Sequence, residues 1–285
     1  MLEAGMLEAT YASAVSARRM RSIQGAAVLI IAIGLACWAA EVRPLTLISK
    51  IGNFTSYIDR MFQLESGARV WTDPAEWFWG LWKWLGLLRD TLLMAYVGTL
   101  AGAFIGFLFC FAASSNLMKS KWVCQGFKRL LEFNRTVPEL VFALLFVYAF
   151  GLGPVPGVIA IAIHTIGAMG KLFAEVVENI DMKPVEGIAA SGGTWVQQIR
   201  FAVLPQVQTN FISYTLLRFE VNVRAAAVIG FVGAGGIGDE LLTSIRRFYY
   251  SDVSAIIVML ILTVMVIDYC TEKLRHRLLG GEVHA

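Results

Sequence analysis

Six long runs of apolar residues dominate the sequence and alternate with shorter polar stretches. They lie at about residues 23–40, 91–112, 137–153, 157–178, 205–230 and 253–270. A helix needs roughly 20 apolar residues to cross the hydrocarbon core of a bilayer. The pattern therefore predicts an all-α, polytopic membrane protein with about six transmembrane helices, which form a single transmembrane domain over residues 1–285.

Basic residues near the ends of these runs predict the orientation, because cytoplasmic loops carry an excess of lysine and arginine. Clusters at 18–21, 119–135 and 273–277 all fall on one side of a six-span arrangement. The loop on the other side at 41–90 mixes both signs of charge, and Arg246 and Arg247 are the exception to the pattern. We therefore expect both the N and the C terminus in the cytoplasm. This makes residues 1–22 a cytoplasmic tail, 41–90 a periplasmic loop, 91–270 the core bundle and 179–204 a cytoplasmic loop.

The predicted periplasmic loop ends in a tryptophan-rich segment, residues 71–88. Asp73, Pro74 and Glu76 are typical of a helix start, with aspartate as the N-cap and proline at the first helical position. Since indole rings favour the headgroup layer of a membrane, we predict a helix lying in the outer interface. A stacking platform for a sugar is the alternative.

The segment GLGPVPG at 151–157 separates the third and fourth runs. Its prolines stand among three glycines, which predicts a tight turn that is not helical. The third and fourth spans are therefore expected to form a hairpin.

Composition agrees with a membrane protein and excludes several classes of function. Of the residues, 57% are hydrophobic and 16% are charged, against about 25% charged in ordinary soluble domains. The net charge of +3 is scattered along the chain, whereas nucleic-acid binding needs a basic face. The four cysteines form no CxxC pair, so we expect neither a disulfide nor a metal site.

The usual sequence motifs of enzymes are also missing. The chain has no HExxH, no GxSxG and no phosphate-binding GxxxxGK[ST] loop. We therefore expect no catalytic residues and no cofactor in this chain, and any ATP hydrolysis that drives it must occur on a separate chain.

A glycine-rich segment follows the fifth run. Gly233, Gly235 and Gly238 match the pattern G-x-G-x-x-G, but dinucleotide binding requires that pattern inside a βαβ unit. Together with Gly236, they favour a close-packed irregular backbone that lines a pathway, since such backbone is tolerated at membrane depth only in protein or against water. A plain flexible turn is the alternative.

Charged residues inside the predicted spans form a second group of candidates. Glu220 and Arg224 are four residues apart and are predicted to pair on one helical face. Arg218 shares another face with Asn222 and has no partner in its own helix. Arg218 therefore either pairs with another span or subunit, or attracts an anion moving through a pore that Asn222 also lines. In the fourth run, a pair between Lys171 and Glu175 is predicted to be structural.

The cytoplasmic loop contains EGIAASGGTWVQQIRFAVLP at 186–205. It predicts a short helix of small residues, a glycine break and a second short helix ending at a proline. The stretch resembles the cytoplasmic "EAA" loop of ABC importer permeases. The matching residues are Glu186, Gly192, Leu204 and Pro205; Gly187, Ile188 and Ala202 depart from the pattern.

The resemblance continues through residues 204–242, which are similar to the permease of phosphonate and phosphite ABC importers. It implies a type I importer permease fold and a homodimer in the bacterial inner membrane. It also implies two cytoplasmic ATPase subunits that hold ATP and Mg, and a periplasmic binding protein that delivers the anion.

The side chains of the loop suit an ATPase contact. Ala189, Ala190 and the glycines at 192 and 193 leave the backbone of the short helix uncovered, so that a groove of another protein can approach it closely. Glu186 offers a carboxylate to a basic residue, and Pro205 begins the fifth span rigidly. These residues, with Gly192, Gly193 and Leu204, are the predicted coupling site.

Two other functions remain open from the sequence. The first is an ABC importer permease for another small solute, such as methionine, an amino acid or phosphate. The second is an ion-coupled secondary transporter, in which Lys171, Glu175 and Glu220 would be coupling sites. A membrane-embedded enzyme ranks below both.

Overall fold

The computed structural model describes residues 2–41 and 44–280. The helices up to the second long one are α1 (Leu2–Ala39), α2 (Pro44–Ser49), α3 (Ile51–Met61), α4 (Pro74–Trp77) and α5 (Leu81–Ala113). The middle of the chain forms α6 (Lys121–Thr136), α7 (Glu139–Phe150), α8 (Pro154–Glu178) and α9 (Lys183–Ala190). The last helices are α10 (Trp195–Gln198), α11 (Leu204–Ile229), α12 (Gly236–Arg246) and α13 (Tyr250–Gly280).

The chain divides into two compact units. Residues up to Asp59 form one unit, and residues from Arg60 onward form the other. The first unit contains α1, whose segment Val15–Ala39 is long and apolar enough to cross a membrane. From Leu2 onward, the segment predicted as a cytoplasmic N-terminal tail is helical and continuous with the first span; its side of the membrane stays a prediction.

Membrane-crossing helices are fewer than the six predicted. Among the described residues, four single helices qualify, and the bent pair Trp195–Val232 and Gly236–Arg246 makes up to five. The predicted third span contains only the 12-residue α7, about 18 Å long at 1.5 Å per residue, against a hydrocarbon core of about 30 Å. Its C-cap, Gly151, with φ +88°, ends the helix early.

The turn after α7 is shorter than predicted. Pro154 and Pro156 lie in the first turn of α8 rather than in a non-helical loop. Proline is tolerated there because the first N–H groups of a helix have no helical partner. The reversal is confined to residues 151–153, and its last glycine, Gly153, donates a backbone hydrogen bond to the carbonyl of Gly233.

The tryptophan-rich segment is part of the bundle rather than a separate interfacial helix. Asp73 caps α4 as predicted, by accepting from the backbone N–H groups of Ala75 and Glu76, but α4 is only four residues long. The next helix, α5, begins before the predicted span. The indole N–H groups of Trp77 and Trp79 donate to Ser254 and Asp252 at the start of α13.

The core of the second unit is built on the close contact between α5 and α8. Gly98, Gly102 and Gly106 of α5 face α8, and an added Cβ at Gly102 would lie 2.5 Å from Cβ of Thr165. Small residues let membrane helices approach closely, where packing replaces the hydrophobic effect as the source of stability. α11 packs against both helices, with Phe211 stacked on Phe173 at 4.0 Å between ring centroids.

Candidate functional site

The predicted coupling loop forms two short helices joined by glycines. The first, α9, ends at Ala190, and Gly192 takes the left-handed conformation with φ +85°. Gly193 donates a hydrogen bond of 2.9 Å to the carbonyl of Ile188, and a Cβ there would meet the Ile188 side chain. Both glycines are therefore required by the backbone of the turn.

The outer surface of α9 has no partner among the described residues. Glu186, Ala189 and Ala190 are exposed, whereas Val185 on the opposite side is buried in the core. Large apolar side chains beyond the turn are exposed as well, namely Trp195, Val196 and Phe201. The loop thus presents a small-residue helix and an apolar patch together.

The loop is fastened firmly to the membrane helices. The side-chain oxygen of Gln206 accepts from the backbone N–H of Asp181 at 3.1 Å, and its amide donates to the Asp181 carbonyl at 3.2 Å. Because Gln206 belongs to the first turn of α11, α9 and α11 are tied at their bases. These bonds connect the segment just before α9 to the start of α11.

The sequence predicts that the second short helix ends at the proline, but in the structure the helix continues past it. After α10, residues Ile199–Val203 form one turn of π-helix, and α11 follows without a break. Leu204 and Pro205 lie in the first turn of α11, where the missing N–H of proline is tolerated when the preceding turn is wide. The apolar patch at Trp195 and Val196 and the membrane helix are therefore parts of one continuous helix.

The glycine-rich segment is compact. Gly233, Gly235 and Gly236 have φ values of +92°, +75° and +75°. A Cβ at Gly236 would overlap the hydroxyl of Thr91, and one at Gly238 would overlap the carbonyl of Ala227. The geometry matches a close-packed irregular backbone rather than a flexible turn; that it lines a pathway stays a prediction.

Asn222, predicted to face the pathway, lies instead at a junction of three helices. Its side chain is fully buried, and its amide nitrogen donates to the hydroxyls of Thr99 on α5 at 2.8 Å and Thr165 on α8 at 2.9 Å. Asn222 therefore holds the bundle together and is inaccessible to a solute in this structure.

Arg218 lies beside a carboxylate that the sequence analysis missed. Its Nη2 is 3.9 Å from Oε2 of Glu139, and Nε2 of His164 is 3.9 Å from the same oxygen. The Arg218 side chain is only 15% exposed, and its Nε and Nη2 make no hydrogen bond in the described chain. Glu139 starts α7 directly after Pro138, and its position at the edge of an apolar run was the one signal in the sequence.

The expected pair between Glu220 and Arg224 is corrected by the structure. Nη2 of Arg224 donates to both carboxylate oxygens of Asp268 on α13, at 3.0 and 3.1 Å. Glu220 accepts a hydrogen bond from the hydroxyl of Thr271, also on α13. The spacing of four residues puts Glu220 and Arg224 next to each other on α11. Each side chain nevertheless bonds to a residue of α13 instead.

Charged residues at the loop side of α8 form a network with α6. Lys171 lies 3.9 Å from Glu175 and 4.0 Å from Glu132. Lys128 of α6 donates to Glu178 at 2.8 Å, and this hydrogen bond raises the pKa of Lys128 above its usual range. The network fixes α6 against the end of α8.

Comparisons with known proteins agree with this architecture. Residues 98–278 match the family described as "Binding-protein-dependent transport system inner membrane component". The chain is 40% identical over 198 residues to a phosphite transport system permease protein of Stutzerimonas stutzeri, covering 70% of this chain and 72% of that protein. Over 117 residues it is 48% identical to a putative cryptic phosphonate transport system permease protein of Escherichia coli, which covers 41% of this chain and 96% of that protein.

Similarity also extends to a longer relative and to solved structures. A phosphate-import permease protein of Mycolicibacterium smegmatis is 32% identical over 248 residues, covering 86% of this chain and 44% of that protein. An inward-facing structure of the MetNI methionine ABC transporter contains a chain with a TM-score of 0.60 at 17% identity, covering 70% of this chain and 97% of that chain. The predicted all-α importer-permease fold is thus confirmed.

The family match covers about half of α5, all of the coupling loop and nearly all of α13. The chain therefore belongs to the family of inner membrane components of binding-protein-dependent transport systems.

Proposed function

We propose that this chain is the permease subunit of an ATP-driven importer for phosphite, phosphonate or a closely related phosphorus oxyanion. It moves the solute by alternating access, and a partner chain hydrolyses ATP. The observation that carries the proposal is the exposed helix α9, tied to α11 through Gln206 and Asp181. The relatives named for phosphite and phosphonate transport support the choice of cargo.

The proposed assembly follows from the family. Two copies of this chain form the membrane part, two cytoplasmic ATPase subunits dock on α9, and a periplasmic binding protein delivers the anion. The complex lies in the bacterial inner membrane with both termini in the cytoplasm. The coupling residues are Glu186, Ala189, Ala190, Gly192 and Gly193, and Leu204 and Pro205 transmit the motion.

Cargo is tested by uptake in proteoliposomes that contain the permease with its cognate ATPase and binding protein. Labelled phosphite uptake is measured against excess methylphosphonate, phosphate or methionine. We expect ATP-dependent uptake that unlabelled phosphite and methylphosphonate suppress and methionine does not. Suppression by methionine alone contradicts the proposed cargo, and uptake without the ATPase contradicts the class.

The docking role of α9 is tested with two matched glycine variants. A Cβ at Gly187 of α9 or at Gly126 of α6 meets nothing within 4 Å, so tryptophan fits the isolated chain at both positions. We expect Gly187→Trp to abolish copurification of the ATPase and uptake, whereas Gly126→Trp retains both. Retention of ATPase binding by Gly187→Trp rules out docking on α9.

A further inference from the structure

Arg224 and Asp268 form an ion pair near the middle of the helix bundle. Arg224 is two positions beyond Asn222, about 3 Å along the helix. Asn222 is bonded to Thr99, which lies in the central part of α5, the helix Leu81–Ala113. The pair is therefore at the depth of the hydrocarbon core.

This ion pair is open to the surroundings of the chain. The side chain of Arg224 is 50% exposed and that of Asp268 is 42% exposed. A charged residue facing hydrocarbon costs about 2.5–3.5 kcal/mol on insertion scales. The face that carries the pair must therefore meet water or protein rather than lipid.

Arg224 keeps part of its guanidinium available. Both hydrogen bonds to Asp268 come from Nη2, and within the described chain no contact engages Nε or Nη1. A guanidinium presents its N–H groups as a planar fork that suits the oxygens of phosphorus oxyanions. Arg224 can thus bind an anion by the free edge without first losing its carboxylate partner.

The same face of α11 is exposed at several positions along the helix. Val221 and Val228, one turn before and after Arg224, are exposed. Nearer to the coupling loop, Asn210 and Tyr214 of this face line a cleft of about 440 Å³. Residues at this spacing lie on one side of a helix. They form a stripe on α11, which runs from the cleft past Arg224 towards the glycine-rich turn.

We propose that Arg224 is the cation that binds the transported phosphorus oxyanion in mid-membrane, with Asp268 as the counter-ion that balances it when the site is empty. The cargo in this statement rests on the proposed function. Arg218 is excluded from that role by its burial against Glu139. The anion binds the free N–H groups of Arg224 while Asp268 keeps its hydrogen bonds to Nη2, so Arg224 has a carboxylate partner before and after each passage.

The first test is independent of which solute is carried. Cys37→Ser and Cys270→Ser first remove the two cysteines that are not buried. Val228→Cys is then introduced, and its reaction rate is measured with methanethiosulfonate reagents that bear a sulfonate or a quaternary ammonium group. The complete complex in proteoliposomes is used. We expect the sulfonate reagent to react faster, and Arg224→Gln to lower the ratio of sulfonate to ammonium rates about tenfold.

A matched control is provided by Ala225→Cys on the same helix, where the residue is buried and should not react. If Val228→Cys does not react, lipid or a second copy of the chain covers the stripe, and the proposal is overturned. An unchanged rate ratio in Arg224→Gln overturns it as well. Phosphite should slow the sulfonate reaction; if only another solute does so, the cargo is wrong and the site stands.

The second test separates anion binding from a structural ion pair. Arg224→Gln should lower phosphite uptake at least about tenfold, with the ATPase still copurifying. Arg246→Gln, at an exposed position of α12, is the matched control and should keep normal uptake. The double variant Arg224→Gln/Asp268→Asn leaves neither charge unpaired. If the pair is purely structural, phosphite uptake should therefore recover in this variant. Continued loss supports anion binding, and recovery of uptake overturns it.

Discussion

Two arginines on α11, six residues apart, differ in burial and in the distance to their carboxylate partners. Arg218 is 15% exposed and lies 3.9 Å from Glu139, whereas Arg224 is 50% exposed and donates to Asp268 at 3.0 Å. The buried arginine has the distant partner, and the exposed one has the close partner. The burial of Arg218 makes its charge important for the stability of the fold. The exposure of Arg224 makes its charge accessible to a solute.

The difference lies in the two faces of one helix. The face with Arg218 and Asn222 points into the bundle, towards α7, α8 and α5. Among the described residues, the face with Val221, Arg224 and Val228 is covered only where it contacts α13. Changes on the first face should act on stability, and changes on the second should act on transport.

The largest effect on stability is expected from Glu139→Gln. This change leaves the buried cation of Arg218 without its carboxylate, and breaking a buried pair by removing one partner costs about 3–5 kcal/mol. Because Glu139 is partly exposed, we expect the lower end of that range. The readout is the thermal unfolding midpoint of the purified complex, with Glu132→Gln on α6 as the control. An unchanged unfolding midpoint in Glu139→Gln would contradict the assignment of the Arg218 face to stability.

A smaller loss is expected from Asn222→Ala. The variant removes two buried hydrogen bonds and leaves the hydroxyls of Thr99 and Thr165 without their shared donor, which costs about 1–3 kcal/mol. The neighbouring Val221→Ala, on the exposed face, serves as the control in the same unfolding assay. Equal midpoints for the two variants argue against a buried junction at Asn222.

The smallest effect is expected from Asp268→Asn. An exposed ion pair contributes about 0–1 kcal/mol, so the unfolding midpoint should stay close to that of the unchanged protein. A decrease as large as that of Glu139→Gln would falsify the assignment of Arg224 to an open face. The comparison of these two carboxamide variants is the sharpest single test of the contrast.

Long apolar runs predicted the helices well where one run corresponds to one helix. This holds for α8 and α13, because hydropathy and helix length report the same physical requirement. It failed at 137–153, where the run contains a short helix and a sharp turn, since apolar composition does not mark where a helix ends. The start of α5 was also missed, because tryptophans at an interface and in a helix look alike in sequence.

The candidate site was predictable where it depends on local backbone. The glycines at 192 and 193 and the exposed alanines of α9 were recognised because turns and close approaches require small residues. Side-chain partners across helices were not predictable. Spacing within one helix suggested Glu220 with Arg224, whereas tertiary packing supplied Asp268 and Thr271, and Glu139 came from a region treated as the edge of a span.

The turn of π-helix at Ile199–Val203 joins α10 to α11 within one continuous helix. Each residue advances an α-helix by about 100°, and a π turn accommodates an additional residue within a continuous helix. Deleting one residue within 199–203 would therefore leave an ordinary α-helical turn, and Trp195 and Val196 would turn relative to α11 by much less than the roughly 100° of a residue lost from an α-helix. In the proposed mechanism, a push received at Trp195 and Val196 thus reaches α11 through a turn that is wider than the helices on either side of it.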